Sequence, residues 1–556
     1  MKFIRFLFSK SITGIGITIL AVISGCSSNK SNHQEIRPNI ILMFTDELQF
    51  SDIGTYGGDI PTPEIDALAS QGIKFTKAYT TASMCTPSRF SVLTGLYPGK
   101  CQAETFIKAN PINQPYNIAW NTWITPELST IPKILSQNGY ITGMAGKWHV
   151  GHLPDSIQLP ELQPDDDPDN AEVEKKLQIR QAAYKRQVKK DAGFDYTSSV
   201  LWENLDNLPI KSLRFHNFPW ITKGAIQFLE SQASSKKPFF LYLTPTAIHG
   251  PNHVEDLEKD KSYTPDGKKA DVLKYSIDEQ KLKDVLDSIP GNIAHRYAGI
   301  SNIDHQLKLI RQKLHEIGEE ENTIIIFMSD HNIEPGKATS YEKGIHIPMI
   351  IYWPGRTNGT QTDAIVSSID IFPTILKIAN IPNDELKLDG KSFYDVLTNS
   401  NAVGRKYVFS ENGYTRSISD GRYKYIALRY PDHLITSMQN NKIDHAPSYV
   451  GRWPQAHSAI AIHGFPNYFD QNQLYDLKEN PYEQHNIYHE KIDIALFMKG
   501  ELQKHLSQFQ HPYALEDIEY LESADFQSKC DVNRAWDLDN IPWLRRDHGV
   551  FHWPPK

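Results

Sequence analysis

The chain has 556 residues, of which 40% are hydrophobic and 22% charged, the proportions of a globular protein and not of an extended disordered one. Its formal charge of −8 gives no basic footprint for nucleic acid, so an anionic ligand needs a locally cationic pocket. The four cysteines (Cys26, Cys85, Cys101 and Cys530) are too few for a disulfide framework, and packing must hold the fold.

The first segment reads as an export signal. Lys2, Arg5 and Lys10 precede an apolar stretch, Ile12 to Ile23, that is too short and too glycine-interrupted for a secure membrane span. It ends in Ile23-Ser24-Gly25-Cys26, which resembles the lipobox of bacterial lipoproteins, and the polar tether Ser27 to Gln34 follows. Residues 1–25 are expected to leave as a signal peptide, with residues 26–37 as a tether anchored through acylated Cys26. Ser27 favours the outer membrane of a gram-negative cell; an ordinary secretory signal is the alternative, and either exports the protein.

Strand and helix patterns then alternate. Asn39 to Phe44 is an apolar run that delivers Asp46 to the carboxyl end of a buried strand. Thr62-Pro63 offers an N-cap and first-turn proline, and Ile65, Leu68 and Ala69 form the apolar face of a short helix stopped by Gly72. Ile73 to Tyr79 is the next strand. Thr130 to Gln137 reads as helix, Gly139 ends it, and Ile141 to Ala145 is a strand leading into Gly146-Lys147-Trp148-His149. Phe239 to Leu243 is a strand followed by Ile248-His249-Gly250-Pro251. Ile300, Ile303, Leu307, Ile310, Leu314 and Ile317 mark an amphipathic helix, and Ile324 to Met328 a buried strand ending at Asp330-His331.

This order predicts an α/β fold, a large mostly parallel central sheet flanked by helices. In such sheets ligands bind beyond the carboxyl ends of the strands, where Asp46, Lys147, His249 and Asp330 all fall. Gln163 to Lys190 and Val254 to Pro290 look inserted and read as solvated surface or lids. Beyond about Arg405, short strands such as Tyr423 to Leu428 predict a smaller C-terminal α+β domain with an antiparallel sheet. The expected domains are thus 38–404 and 405–556. The tail, with Trp536, Trp543, Arg545, Arg546 and Trp553, suggests no role, and there is no internal repeat.

The most specific motif is Cys85-Thr86-Pro87-Ser88-Arg89 with Leu93-Thr94-Gly95, seven fixed residue types in an eleven-residue span. A free cysteine beside a proline turn is ordinarily a small buried hydrophobe. The pattern C-x-P-S-R-x-x-x-L-T-G, however, resembles the signature of type I sulfatases of the alkaline phosphatase superfamily. Gly146-Lys147-Trp148-His149-Val150-Gly151, the segment Gly336 to Glu342, Ser368 to Thr374, Leu388 to Ser392 and Gln473 to Leu477 extend the resemblance over residues 38 to 490.

The resemblance implies that a maturation enzyme oxidises Cys85 to formylglycine, whose hydrate is the nucleophile toward sulfur. Arg89 lies one helical turn away, in reach of that diol if the signature opens a helix. It also implies a divalent site made by Asp46, Glu47, Cys85, Asp330 and His331, with Ca²⁺ first and Mg²⁺ or Mn²⁺ as alternatives. Glu47, where aspartate is commoner, is a departure because its extra methylene changes the reach. Lys147 is expected to contact sulfate and His149 to assist the diol, both on one face of an extended segment. His249 is the candidate general acid, and Lys337, four residues before Tyr341-Glu342, would bridge sulfate and leaving oxygen. His152, His253 and His346 read as solvent-facing or core-satisfied, with His253 also a candidate for lining a substrate subsite.

The expected substrate is a sulfated polysaccharide or its oligosaccharides, algal or glycosaminoglycan, with Arg452, Trp453 and His457 as candidate sugar contacts. Two other readings compete: a formylglycine-dependent phosphodiesterase or phosphonate hydrolase, and a non-catalytic lipoprotein that binds sulfated glycans.

Overall fold

Every residue of Asn39–Thr45 (β1) is buried, because the strand is covered on both sides. Ile40, Leu42 and Phe44 enter one hydrophobic core, and Ile41 and Met43 enter another on the opposite face. Burial of each such side chain stabilises the fold by about 1.5–3 kcal/mol. A strand apolar on both faces needs helices on both, and the residues 85–94, 131–137 and 371–378 supply one layer. Residues 63–71, 218–232 and 291–316 supply the other.

The computed structural model describes residues 37–535 apart from 113, 334, 400–401, 450–459 and 512. The signal and lipobox with Cys26, the candidate sugar contacts Arg452, Trp453 and His457, and the tryptophan-bearing tail lie outside the described residues. No helix among the described residues is long and apolar enough to cross a membrane.

Further strands of the large sheet are Ile73–Tyr79 (β2), Ile141–Lys147 (β3), Tyr196–Leu201 (β4) and Phe239–Thr244 (β5). A two-residue hairpin, Tyr263–Thr264 (β6) and Gly267–Lys268 (β7), precedes Thr323–Ser329 (β8), His346–Tyr352 (β9), Thr360–Thr362 (β10) and Val366–Ser367 (β11). The order is β10-β2-β9-β8-β1-β5-β3-β4, with β11 beside β2. Only β9 runs against its neighbours, so the sheet is mostly parallel, as expected. Val408–Asn412 (β12), Thr415–Ser419 (β13), Tyr423–Leu428 (β14) and Asn472–Asp476 (β15) make the expected antiparallel sheet in sequential order.

Three local expectations are corrected. Thr62 holds the N-cap position of Pro63–Gln71 (α1), but its hydroxyl accepts from Gly54 N and donates to Asp66. The first-turn amides of Glu64 and Ile65 donate instead to Asp304 Oδ1, at 3.0 and 2.9 Å, so a carboxylate from another helix replaces the local cap. The helix expected from Ile300 begins nine residues earlier, at Gly291. The segment from Gln163 is more than solvated surface. Its helix Ala171–Ala192 buries Val173, Leu177 and Val188, and Tyr184 stacks on Trp202 at 5.2 Å. Cys101 and Cys530 are free thiols, so no bridge forms between them.

Candidate functional site

Register brings the two acids together. β1 and β8 are adjacent and parallel, with Thr45 opposite Ser329, so the next residues, Asp46 and Asp330, leave the sheet side by side. Asp330 N donates to Thr45 O at 3.0 Å, which ties its turn to β1, and Asp46 N donates to Ala247 O at 2.9 Å, which ties the other turn to the segment after β5. Lys147 closes β3, whose Gly146 lies opposite Thr244 of β5. All these residues therefore meet beyond the carboxyl ends of parallel strands.

The fixed residues of the signature each have a physical task. Cys85–Thr94 (α2) opens at Cys85 after extended Met84, and all ten of its residues are buried. Pro87 sits in the first turn, where a missing N–H costs no helix bond. Ser88 Oγ donates to Asp330 O at 2.7 Å and fixes the acid's backbone. Thr94 Oγ1 donates to Phe90 O at 2.7 Å, and Gly95 ends the helix at φ 68°, where a Cβ would meet Leu388 at 2.9 Å.

Cys85 Sγ lies 3.2 Å from His331 Nε2 and 3.4 Å from both Asp46 Oδ1 and Lys147 Nζ. Arg89, one turn along α2, points into the same site. Its Nη2 is 2.9 Å from Asp330 Oδ2 and 4.0 Å from Asp46 Oδ1. Lys147 Nζ is 2.5 Å from Asp46 Oδ2. Two buried carboxylates thus face two buried cations across the cysteine sulfur, at the positive end of a helix.

Electrostatics follow from this packing. Burial pushes the Asp46 carboxyl up, yet Lys147, His249, Arg89 and His331 together hold it well below the usual range. Burial and then the neighbouring Asp46 hold Asp330 above it. His331 is pushed up to about 9, because Asp330 and Cys85 outweigh its burial. Its Nδ1 bonds Asn332 O at 2.7 Å; that carbonyl can only accept, so Nε2 faces the acids.

Asp46, Cys85, Asp330 and His331 place ligand atoms within 4.8 Å of one another, a buried cluster able to hold a metal ion. The donor set fits a divalent cation: two hard carboxylates, plus an imidazole whose second nitrogen is anchored to a carbonyl. Glu47 stands outside this cluster. With φ at 63° and a longer side chain than aspartate, it turns away to an ion pair with Lys337 and comes within 3.7 Å of His249 Nε2. Lys337 is held above its ordinary range despite burial, by Glu47 with Cys85 and Asp46. Burial holds His249 below its ordinary value, against the pull of Glu47.

His149 reaches the site by another route than expected. β3 stops at Lys147, and Gly146 at φ 112° and His149 at φ 55° break the extended alternation. A Cβ on Gly146 would lie 2.1 Å from Thr244 O, so glycine is required there. His149 is buried, and burial followed by the charges of Lys147 and Arg89 holds it well below its ordinary value. His152 is exposed and His346 bonds Thr76 O at 2.7 Å, but buried His253 is neither solvated nor satisfied.

Sequence reasoning missed the supports. Asn412 of β12 accepts from Ser83 N at 2.8 Å and donates to Thr339 O at 3.0 Å, joining the approach to α2 with the Lys337 loop. Buried Lys424 binds Ser340 O, Glu342 and Glu483, and so pins the far end of that loop. These contacts span 59 (483 − 424) to 329 positions, and no local pattern signals them.

The sulfatase family model matches residues 38–381, and one described as N-sulphoglucosamine sulphohydrolase, C-terminal, matches residues 336–431. Arylsulfatase A of Homo sapiens is 25% identical over 489 residues, covering 81% of this chain and 83% of its own. An N-acetylgalactosamine-6-O-sulfatase of Bacteroides thetaiotaomicron is 25% identical over 534 residues, covering 84% and 93%. A solved structure in complex with its substrate, D-glucosamine-2-N,6-O-disulfate, shares the fold with a TM-score of 0.56 and 21% identity, over 87% of this chain and 100% of that one. The sulfatase match takes in both strand-end acids, the helix opening at Cys85 and the segments bearing Lys147, His249 and Lys337, and the chain belongs to the sulfatase family, a family of sulfuric ester hydrolases.

Proposed function

We propose that this protein hydrolyses sulfate esters of a sulfated polysaccharide or its oligosaccharides, with residue 85 matured to formylglycine and a calcium ion held by Asp46, Asp330 and His331. The observation that carries the reading is the position of Cys85 Sγ, within 3.4 Å of an acid, an imidazole and an ammonium at once. Cys85 is wholly buried, so the maturation enzyme must act before the chain closes around it.

When bound, the ion supplies Lewis-acid polarisation of a sulfate oxygen, and the hydrated aldehyde supplies the hydroxyl directed at sulfur. The chain's own residues do the rest. Lys147 and Arg89 are fixed positive charges where negative charge gathers, and their partners hold them in place beforehand. Lys337, kept protonated by Glu47, is placed to hydrogen-bond the leaving oxygen. Burial lowers the proton affinity of His249 in the resting site; an arriving sulfate would raise it and suit this histidine to donate to the departing alcohol. His149, held below its ordinary value, is suited to take the proton of the hydroxyl that remains after transfer, whose loss re-forms the aldehyde and expels sulfate.

Sulfated sugars are named for the Bacteroides relative and for the solved complex, which supports a carbohydrate substrate. The lipobox at Cys26 supports an exported lipoprotein on the outer membrane, where polysaccharide is met. The test is release of inorganic sulfate from a panel of sulfated oligosaccharides, beside turnover of phenyl sulfate, a phenyl phosphonate and a phosphodiester. Sulfate release that is lost in Cys85→Ala is expected. Preferential turnover of the phosphorus esters would favour the phosphodiesterase reading instead, and no turnover of any ester the glycan-binding one.

A further inference from the structure

A second group of metal-ligating side chains lies behind the loop that follows His249. His216, His253 and Asp256 each place a ligand atom within 4.8 Å of the others, and the residues are 1%, 1% and 5% exposed. Neither ring nitrogen of His253 has a hydrogen-bond partner. Its Nδ1 stands 3.7 Å from Asp256 Oδ2, too far for a hydrogen bond but close to the separation of two ligands on one ion.

The surroundings favour a cation. Burial, and then the neighbouring imidazoles, hold His216 and His253 well below their ordinary values, which leaves both neutral as ligands. Burial holds the Asp256 carboxyl well above its range, the state of a buried acid without sufficient positive charge beside it. Lys261 lines the same cavity, but its ammonium is engaged by Asp256 O, Lys259 O and, at 3.3 Å, Glu279. His216 Nδ1 and Thr246 Oγ1 are 2.6 Å apart, the kind of outer hydrogen bond that orients a ligating imidazole. The longer contact of its Nε2 with Pro251 O, 3.2 Å, is the one an ion would replace. His295 Nδ1 already accepts from His253 N at 3.1 Å, so that nitrogen is not a ligand.

We infer that His216, His253 and Asp256 form a second divalent site, separate from the strand-end cluster, that takes a borderline transition ion, zinc foremost. Two imidazoles and one carboxylate are a zinc donor set, with a water in the fourth position. His253 lies four residues after His249 and His216 on a distant segment, so an ion there braces the loop that carries the proposed proton donor.

The experiment uses tag-free, full-length protein, stripped of metal and then saturated with calcium, titrated with Zn²⁺ or Co²⁺ and analysed by plasma mass spectrometry. One transition ion per chain is expected, with the visible absorption of four-coordinate Co²⁺. His253→Gln and Asp256→Asn should each weaken binding by at least about tenfold, while Asp330→Asn, in the other cluster, retains it. No uptake by the calcium-loaded parent, or equal uptake by parent and both site variants, overturns the inference. Should a variant fail to fold, the cobalt spectrum of the parent decides, and an absent four-coordinate band counts against the site.

Discussion

Lys147→Met separates the two jobs assigned to one ammonium. Lys147 Nζ sits 2.5 Å from Asp46 Oδ2 and 3.4 Å from Cys85 Sγ, and the side chain is 1% exposed. Methionine fills similar space without charge, and takes from the wholly buried Asp46 its nearest cation, leaving Arg89 at 4.0 Å with the weaker influence of His249 and His331. Breaking a buried ion pair in this way costs about 3–5 kcal/mol, felt mainly in the metal-free protein. Calcium brings its own positive charge to Asp46 and should recover most of that loss. The rate should behave differently, because in the proposed mechanism the lost ammonium is one fixed charge facing the sulfate oxygens. Removing one such donor lowers kcat by about 10²–10³, or about 2.7–4 kcal/mol in the barrier. Thermal melts with and without calcium, beside sulfate release at saturating substrate, give both readouts. A stability that calcium restores with a kcat that it does not is the expected pair. A kcat within tenfold of the parent would refute the placement of Lys147 against the sulfate.

Further outcomes follow from particular side chains. Burial pushes Asp191 up to about 7, well above its usual 3.8, and outweighs the hydrogen bond from Gln187 and the charges of Lys190 and Lys133. An acid whose pKa rises on folding loses stability as pH climbs from its unfolded value through its folded one. Asp191→Asn should therefore match the parent near pH 4 and exceed it at pH 8 by about 2–4 kcal/mol in urea denaturation; equal stabilities at pH 8 would count against it. Asp304→Ala strips the cap from α1 and should cost about 0.5–2 kcal/mol at pH 7, seen as a lower denaturation midpoint at an unchanged slope. Glu47→Gln frees Lys337 and should lower kcat by about tenfold or more, while calorimetry shows calcium affinity within about threefold of the parent. A collapse of calcium affinity would instead make Glu47 a ligand.

Much of this was legible because local chemistry and topology coincide. The apolar runs at Asn39 and Ile324 could only be strands covered on both faces, and the acids that end them had to lie together once the strands paired in parallel. The signature at Cys85 carries its own helix start, its reach to Asp330 and its glycine stop. What was not legible depends on distance or backbone handedness. Glu47 and Glu342 are both carboxylates beside a lysine, yet their partners, Lys337 and Lys424, come from 290 and 82 positions away (424 − 342). The left-handed turn at His149 has no marker beyond Gly146, and extended alternation was the wrong picture there. The cap of α1 came from Asp304 and not from Thr62, since a tertiary carboxylate with two amides in reach displaces a hydroxyl engaged elsewhere.

The most direct measurement is the mass of the peptide that contains residue 85, taken from protein whose sulfate-releasing activity has been determined on the same sample. An aldehyde in place of the thiol, in a fraction that rises and falls with activity across preparations, is the expected result. Full activity in protein whose Cys85 is wholly an unmodified thiol would contradict the account.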